Sequence, residues 1–147
     1  MDKTKIKAAM LALEEGALAY AREEYEAYVA GARLDRSEPI DDDQQAQANV
    51  ARYMSDAFDD DIHDHLAKLA SIDAIDFGPK QRVAPGALVE IADRLFVVAV
   101  ATGRFQCDGR DLMGISPAAP IYSVVQGLRS GDSFVFNDRE YSVGLVA

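Results

Sequence analysis

The sequence predicts an α+β protein: an N-terminal antiparallel helical hairpin of coiled-coil type, then a small antiparallel sheet carrying one helix. Three observations lead there. No proline precedes Pro39 and helix formers dominate the first thirty residues, so nothing interrupts a long first helix. Residues 34–43, Leu-Asp-Arg-Ser-Glu-Pro-Ile-Asp-Asp-Asp, place a proline and five acids between two helical stretches and mark the point of reversal. Beyond residue 83 the chain changes to short β-branched and aromatic segments divided by Gly, Asp and Asn, the pattern of strands and tight turns.

The first helix shows a seven-residue row of Ile6, Leu13, Tyr20, Ala27 and Leu34, with Met10 and Ala17 beside it. That spacing predicts a coiled-coil seam, widened by Leu18, Tyr25, Tyr28 and Val29. The second helix is expected to begin within residues 37–41, with Ser37 as its cap and Pro39 in its first turn. Val50, Met54, Phe58, Ile62, Leu66 and Leu69, with Tyr53 and Ala57 beside them, recur at spacings of three and four. They form the stripe expected to face the first helix. Gly78-Pro79 breaks the pattern. The hairpin is thus placed at 1–76 with its tip near 35–43, a boundary at 76–82, and a second unit at 83–147.

In that second unit, residues 87–91, 95–101, 133–136 and 140–146 read as strands. Pro85-Gly86, Cys107-Asp108-Gly109, Ser130-Gly131-Asp132 and Asn137-Asp138 read as turns. Residues 120–128 read as one short helix with Ile121, Val124, Val125 and Leu128 on one side.

Composition narrows the functional classes. The net charge of −10 is one-sided: residues 1–76 hold 18 Asp/Glu against 8 Lys/Arg, whereas residues 77–147 hold 7 against 7. An acidic rod repels a phosphate backbone, so free DNA is excluded as a direct partner, and a basic protein surface or a metal suits it better. No apolar run is long enough for a bilayer and no charged-then-apolar leader opens the chain, so a cytoplasmic, membrane-free protein is expected. The lone Cys107 is expected to be a packed thiol. Asp59 with His63, and Asp61 with His65, have helical metal-ligand spacing, but a solvated acidic face is the expected reading. Lys3, Lys5 and Lys7 are expected to be solvated.

The second half carries a resemblance. Gly114-Ile115-Ser116-Pro117-Ala118-Ala119-Pro120-Ile121, then Gly127-Leu128, Ser130-Gly131-Asp132 and Arg139-Glu140-Tyr141 follow, in order, a series found in the bacterial Gre transcript-cleavage factors. Pro85-Gly86-Ala87-Leu88-Val89 resembles the opening of the same domain. At the tip, Asp35-Arg36-Ser37-Glu38-Pro39 is similar to the family's Asp-Leu-Ser-Glu-Asn. Both acids are kept, with Arg and Pro at the neighbouring positions.

What the resemblance implies is specific. The second unit would be FKBP-like. The protein would be a transcription elongation factor, a monomer that binds RNA polymerase at its secondary channel and stimulates cleavage of backtracked RNA. It would not be an enzyme itself. Asp35 and Glu38 would assist the polymerase by holding Mg²⁺ shared with its active site, with Asp41, Asp42 and Asp43 as further possible ligands. Hard carboxylate oxygens suit that ion, and phosphodiester cleavage needs one. Ile115, Ser116, Pro117, Pro120 and Ile121 would face the polymerase, and contact with nascent RNA would be weak. Two alternatives stand beside this: a Gre homologue that occupies the channel and inhibits, or an FKBP-like peptide-binding module. The three aspartates at 41–43 also have a plain structural reading, since acids in a first helical turn complement the macrodipole. A hairpin that simply dimerises is a third possibility.

Overall fold

Helix formers without interruption give α1 (Lys3–Gly31), and a second such stretch gives α2 (Asp42–Ala74). The structure, a computed structural model, describes all 147 residues. The chain divides into two compact units, Ala12–Leu69 and Met1–Leu11 with Ala70–Ala147. The division therefore runs through both helices. Their roots belong with the C-terminal half because Ile6, Met10 and Ile72 are buried in one cluster with Leu88, Val97 and Leu112. No helix is long and apolar enough to cross a membrane.

Within Ala12–Leu69 the two helices run antiparallel. Glu14 meets His65, Tyr20 and Tyr28 meet Phe58, and a Cβ at Gly31 would stand 3.5 Å from that of Ala51, so contacts descend one helix as they ascend the other. The seam differs from the expected row. Leu18, Ala21, Ala48, Ala51, Ser55 and Glu14 are buried, while Leu13 is 38% exposed and Tyr20 60%. On α2, Val50, Tyr53 and Leu66 are likewise exposed. Small residues let the helix backbones approach, and the larger heptad row is left on a flank. Leu34 lies beyond the end of α1, in the connecting loop.

The start of α2 also departs from expectation. Ser37 does not cap it and Pro39 precedes it. Asp41 is the cap: its Oδ1 accepts from the Gln44 backbone N–H at 2.7 Å, and Gln44 Oε1 accepts from the Asp41 N–H at 3.0 Å. This reciprocal capping box satisfies two backbone donors that the helix cannot.

The C-terminal half forms one six-stranded sheet of β1 (Leu88–Ile91), β2 (Arg94–Val98), β3 (Arg104–Cys107), β4 (Arg110–Ile115), β5 (Ser133–Phe136) and β6 (Arg139–Val146), in the order β3-β4-β2-β1-β6-β5. Helix α3 (Pro120–Val125) precedes β5 and is shorter than expected. The sheet is mixed rather than antiparallel throughout, since β2 and β4 are parallel. The β3–β4 hairpin stands where only a turn was expected. Three hairpins close with two left-handed residues, Ala92-Asp93, Asp108-Gly109 and Asn137-Asp138, the geometry that matches strand twist. Gly114 is required by close approach: its N–H donates to Thr102 Oγ1 at 2.8 Å, and a Cβ there would collide with the Val100 carbonyl.

Strand alternation sorts the side chains onto two faces. Leu95, Val97, Phe105, Cys107 and Leu112 pack with the helix roots. Val89, Ile91, Val98 and Val143 pack with Tyr122 and Val125 of α3. Of the basic residues that open α1, Lys3 is tied down rather than solvated, while Lys5 remains solvent-exposed as expected. Lys3 Nζ donates to the carbonyls of Gly78 at 2.6 Å and Ala147 at 3.1 Å. Lys5 pairs with Asp108 at 3.4 Å, and Lys7 stands 5.8 Å from the Phe77 ring centre. Burial pulls the Lys3 ammonium below its ordinary pKa, helped by nearby Lys80.

Candidate functional site

Charge is unevenly divided between the two units. Residues 12–69 contain 15 Asp/Glu against 5 Lys/Arg, and the other unit is balanced at 10 against 10. The whole net charge therefore lies on the hairpin unit, where exposed acids stand both in the α1–α2 loop and along α2 at Asp56, Asp60, Asp61 and Asp64.

In that loop Asp35 is held by a tight turn. One carboxylate oxygen, Oδ1, accepts from both the Ser37 backbone N–H, at 2.9 Å, and the Ser37 hydroxyl. These bonds favour the ionised form, the hydroxyl first, and hold the Asp35 carboxyl below its ordinary pKa. Its second oxygen is free for another partner. Glu38 is exposed and makes no hydrogen bond or ion pair. Arg36 is also exposed and pairs with no carboxylate, so the cation beside the acids does not neutralise them.

The remaining tip acids separate by role. Asp41 is committed to capping α2, while Asp42 and Asp43 occupy its exposed first turn. Nowhere do three His, Cys, Asp or Glu side chains converge as a ligand set. The donors at the tip are of the type that Mg²⁺ prefers, but they make a partial set. An ion held there would take its other ligands from outside the chain.

The motif at 115–121 is a shaped connection. Ile115 ends β4, Ser116 Oγ accepts from the Ala118 N–H at 3.1 Å, Pro117 is exposed, and Pro120 opens α3. Pro suits that position because a first-turn N–H has no helical acceptor. Ile121 faces a depression of about 450 Å³ whose walls include Phe96, Phe136, Tyr141, Arg94 and Arg139. Arg94 and Arg139 form no ion pair. An apolar floor beside two free guanidinium groups suits a side chain flanked by acids. The sequence reading missed Arg94, Phe96 and Arg139. The available signal was that Arg94 and Arg139 each directly follow a two-residue turn.

The histidines divide differently from the expected spacing. His63 lies 3.7 Å from Asp59 on the exposed side of α2. His65 does not join Asp61. Its Nδ1 lies 2.6 Å from Oε2 of Glu14 on α1, and the Glu14 side chain is 4% exposed against 22% for His65. This hydrogen bond joins the two helices across the seam. Burial likewise accounts for Cys107, whose thiol is pushed above its ordinary pKa by desolvation and then by Asp108.

No protein-family model matches the chain, and no curated protein matches it. Two solved structures are similar to it over nearly its whole length. One, described as the transcription factor Gfh1, is 20% identical, with 94% of this chain and 93% of that one covered and a TM-score of 0.39. The other, GreA factor homolog 1 (Gfh1) of Thermus thermophilus, is 17% identical, with 95% of each chain covered and a TM-score of 0.34.

Proposed function

We propose that this chain is a Gre-like transcription factor that binds RNA polymerase at its secondary channel and stimulates cleavage of backtracked RNA. The observation that carries the reading is the tip. Asp35 and Glu38, which match the acids of the Gre motif, stand exposed in the loop between α1 and α2, and Asp35 is held in a defined turn. The order of motifs from Gly114 to Tyr141 supports the family, and the restriction of net charge to the hairpin unit supports delivery of acid to a metal-dependent centre.

The chain's own residues would perform two tasks. Asp35 Oδ2 and the Glu38 carboxylate would complete the coordination of Mg²⁺ in the polymerase and orient a water toward the scissile phosphate. That ion would supply charge neutralisation and a nucleophilic water. The sheet unit would supply affinity through Pro117, Pro120 and Ile121 and the adjoining depression. Nascent RNA would be touched weakly by so acidic a hairpin. The protein would be a monomer without catalysis of its own.

One observation favours a second reading. Asp42 and Asp43 are exposed and have no structural duty beyond the helix dipole, so they could hold the same ion without promoting cleavage, which would inhibit the polymerase. Binding tests the common premise. A labelled full-length protein is titrated with bacterial core polymerase, alongside Asp35→Ala/Glu38→Ala and Ile121→Asp variants. The tip variant is expected to bind like the parent and Ile121→Asp to bind at least about tenfold more weakly, a single hot-spot loss. Equal binding by Ile121→Asp, or no binding by any form, would remove the assignment.

A further inference from the structure

One apolar surface, at the edge of the helix seam, is left unused by the tip and by the 115–121 connection. Along α1 there are two apolar rows. Met10, Leu18 and Ala21 are buried, whereas the seven-residue row of Leu13, Tyr20 and Ala27 remains exposed. The exposed row continues across to α2. Tyr20 meets the Phe58 ring edge-on at 6.1 Å between centres, and Tyr28 stacks on the same ring at 5.7 Å. Tyr28 in turn lines a shallow groove of about 340 Å³ with Val50 and Ala46. Tyr20 is 60% exposed and Val50 62%. Tyr20, Phe58, Tyr28 and Val50 thus make an apolar flank in the furrow between two helices, with Leu13 two turns away on the same face of α1. Single exposed hydrophobes are ordinary on a surface, but a contiguous aromatic stripe marks an interaction site.

We propose that this flank is a docking groove for a basic amphipathic helix of a protein partner. The furrow between two antiparallel helices has the shape that takes a third helix, and the heptad spacing of Leu13, Tyr20 and Ala27 is the spacing such a helix reads. Charge selects the occupant. By helical phase Asp43, Asp61 and Asp64 lie on the Val50 side of α2 with one base, Lys68, and Glu24 lies one turn from Tyr20 on α1, so the rim is acidic by four to one. A helix with lysines or arginines beside an apolar stripe would match that rim. A second copy would bring another flank from a unit holding 15 acids against 5 bases, so self-pairing is opposed. Nucleic acid and anionic lipid are opposed for the same reason. The groove is independent of whether the tip promotes cleavage.

The probe is an 18-residue fluorescein-labelled peptide with leucine at helical spacings and lysine elsewhere. It is titrated with the full-length protein at about 0.15 M salt, where exposed charges beyond roughly 8 Å are screened. The parent protein is expected to bind it. Tyr20→Ser/Val50→Ser, which leaves the charge unchanged, should weaken binding at least about tenfold, as loss of an aromatic anchor does. Leu66→Ser, on the other side of the seam by helical phase, should bind like the parent. Binding by the double variant within twofold of the parent would reduce the effect to charge attraction and overturn the proposal. Equal binding of a glutamate-for-lysine peptide would overturn it too, as would a concentration-dependent dimer that the double variant dissolves.

Discussion

His65→Leu leaves the Glu14 carboxylate inside the hairpin with no donor. Glu14 is 3% exposed and its sole partner is the imidazole 2.6 Å away. Removing one member of a buried pair costs about 3–5 kcal/mol because the other charge stays desolvated. The fifth of the His65 side chain that is exposed lets water approach, so about 3 kcal/mol is expected, the low end of that range. The converse substitution is milder. Glu14→Leu leaves an imidazole that reaches solvent, at about 1 kcal/mol or less, the size of one lost hydrogen bond. Glu14→Leu/His65→Leu removes both polar groups and should return to within about 1 kcal/mol of the parent, because apolar replacements of buried pairs are often neutral. Urea unfolding followed by helical circular dichroism measures all three. With a slope of about 1–3 kcal/mol/M, a 3 kcal/mol loss moves the midpoint by about 1–3 M. Equal effects of the two single substitutions, or a coupling below about 0.5 kcal/mol in the double-mutant cycle, would refute the argument.

Three smaller tests address the tip and the turns. Ser37→Ala removes the hydroxyl that most lowers the Asp35 pKa, so carboxyl NMR should show that group titrating closer to an ordinary aspartate. Because the folded pKa is the depressed one, the turn's support is present above the unfolded value and is lost as pH falls through the folded value. Asp41→Ala opens the capping box and should cost about 1 kcal/mol, with faster amide exchange at Gln44, while Asp41→Asn should retain most of it. Ala92 sits at φ +52° in a two-residue turn where asparagine or glycine is preferred. Ala92→Asn should therefore stabilise the protein by up to about 1 kcal/mol, read as a rise in thermal midpoint of about 2–4 °C.

How much of this could be read from the residues differs by element. The helices were legible because an unbroken run of helix formers leaves no competing period. The seam was not, because large residues at heptad spacing signal burial and yet Leu13 and Tyr20 lie on a flank. The chain buries small Ala21, Ala48 and Ala51 instead, which permits close approach, and a glutamate that hydropathy marks as surface. Glu14 could have been suspected only with its partner known. The β3–β4 hairpin was legible in principle: Phe105, Cys107 and Leu112 alternate with charged residues about Asp108-Gly109. Its arginines masked the strands. At the tip both acids of interest were visible, but the division of labour was not. The Asp41–Gln44 box depends on which residue ends the loop, and Pro39 drew the expected start too early.

The most direct test of the central claim is RNA cleavage in a stalled, backtracked bacterial elongation complex, with and without this protein at fixed Mg²⁺. Acceleration is expected, and it should vanish with Asp35→Ala/Glu38→Ala while polymerase binding persists. Slower cleavage and slower elongation would instead transfer the role to inhibition through Asp42 and Asp43. No change in rate, with no binding to the polymerase, would contradict the account.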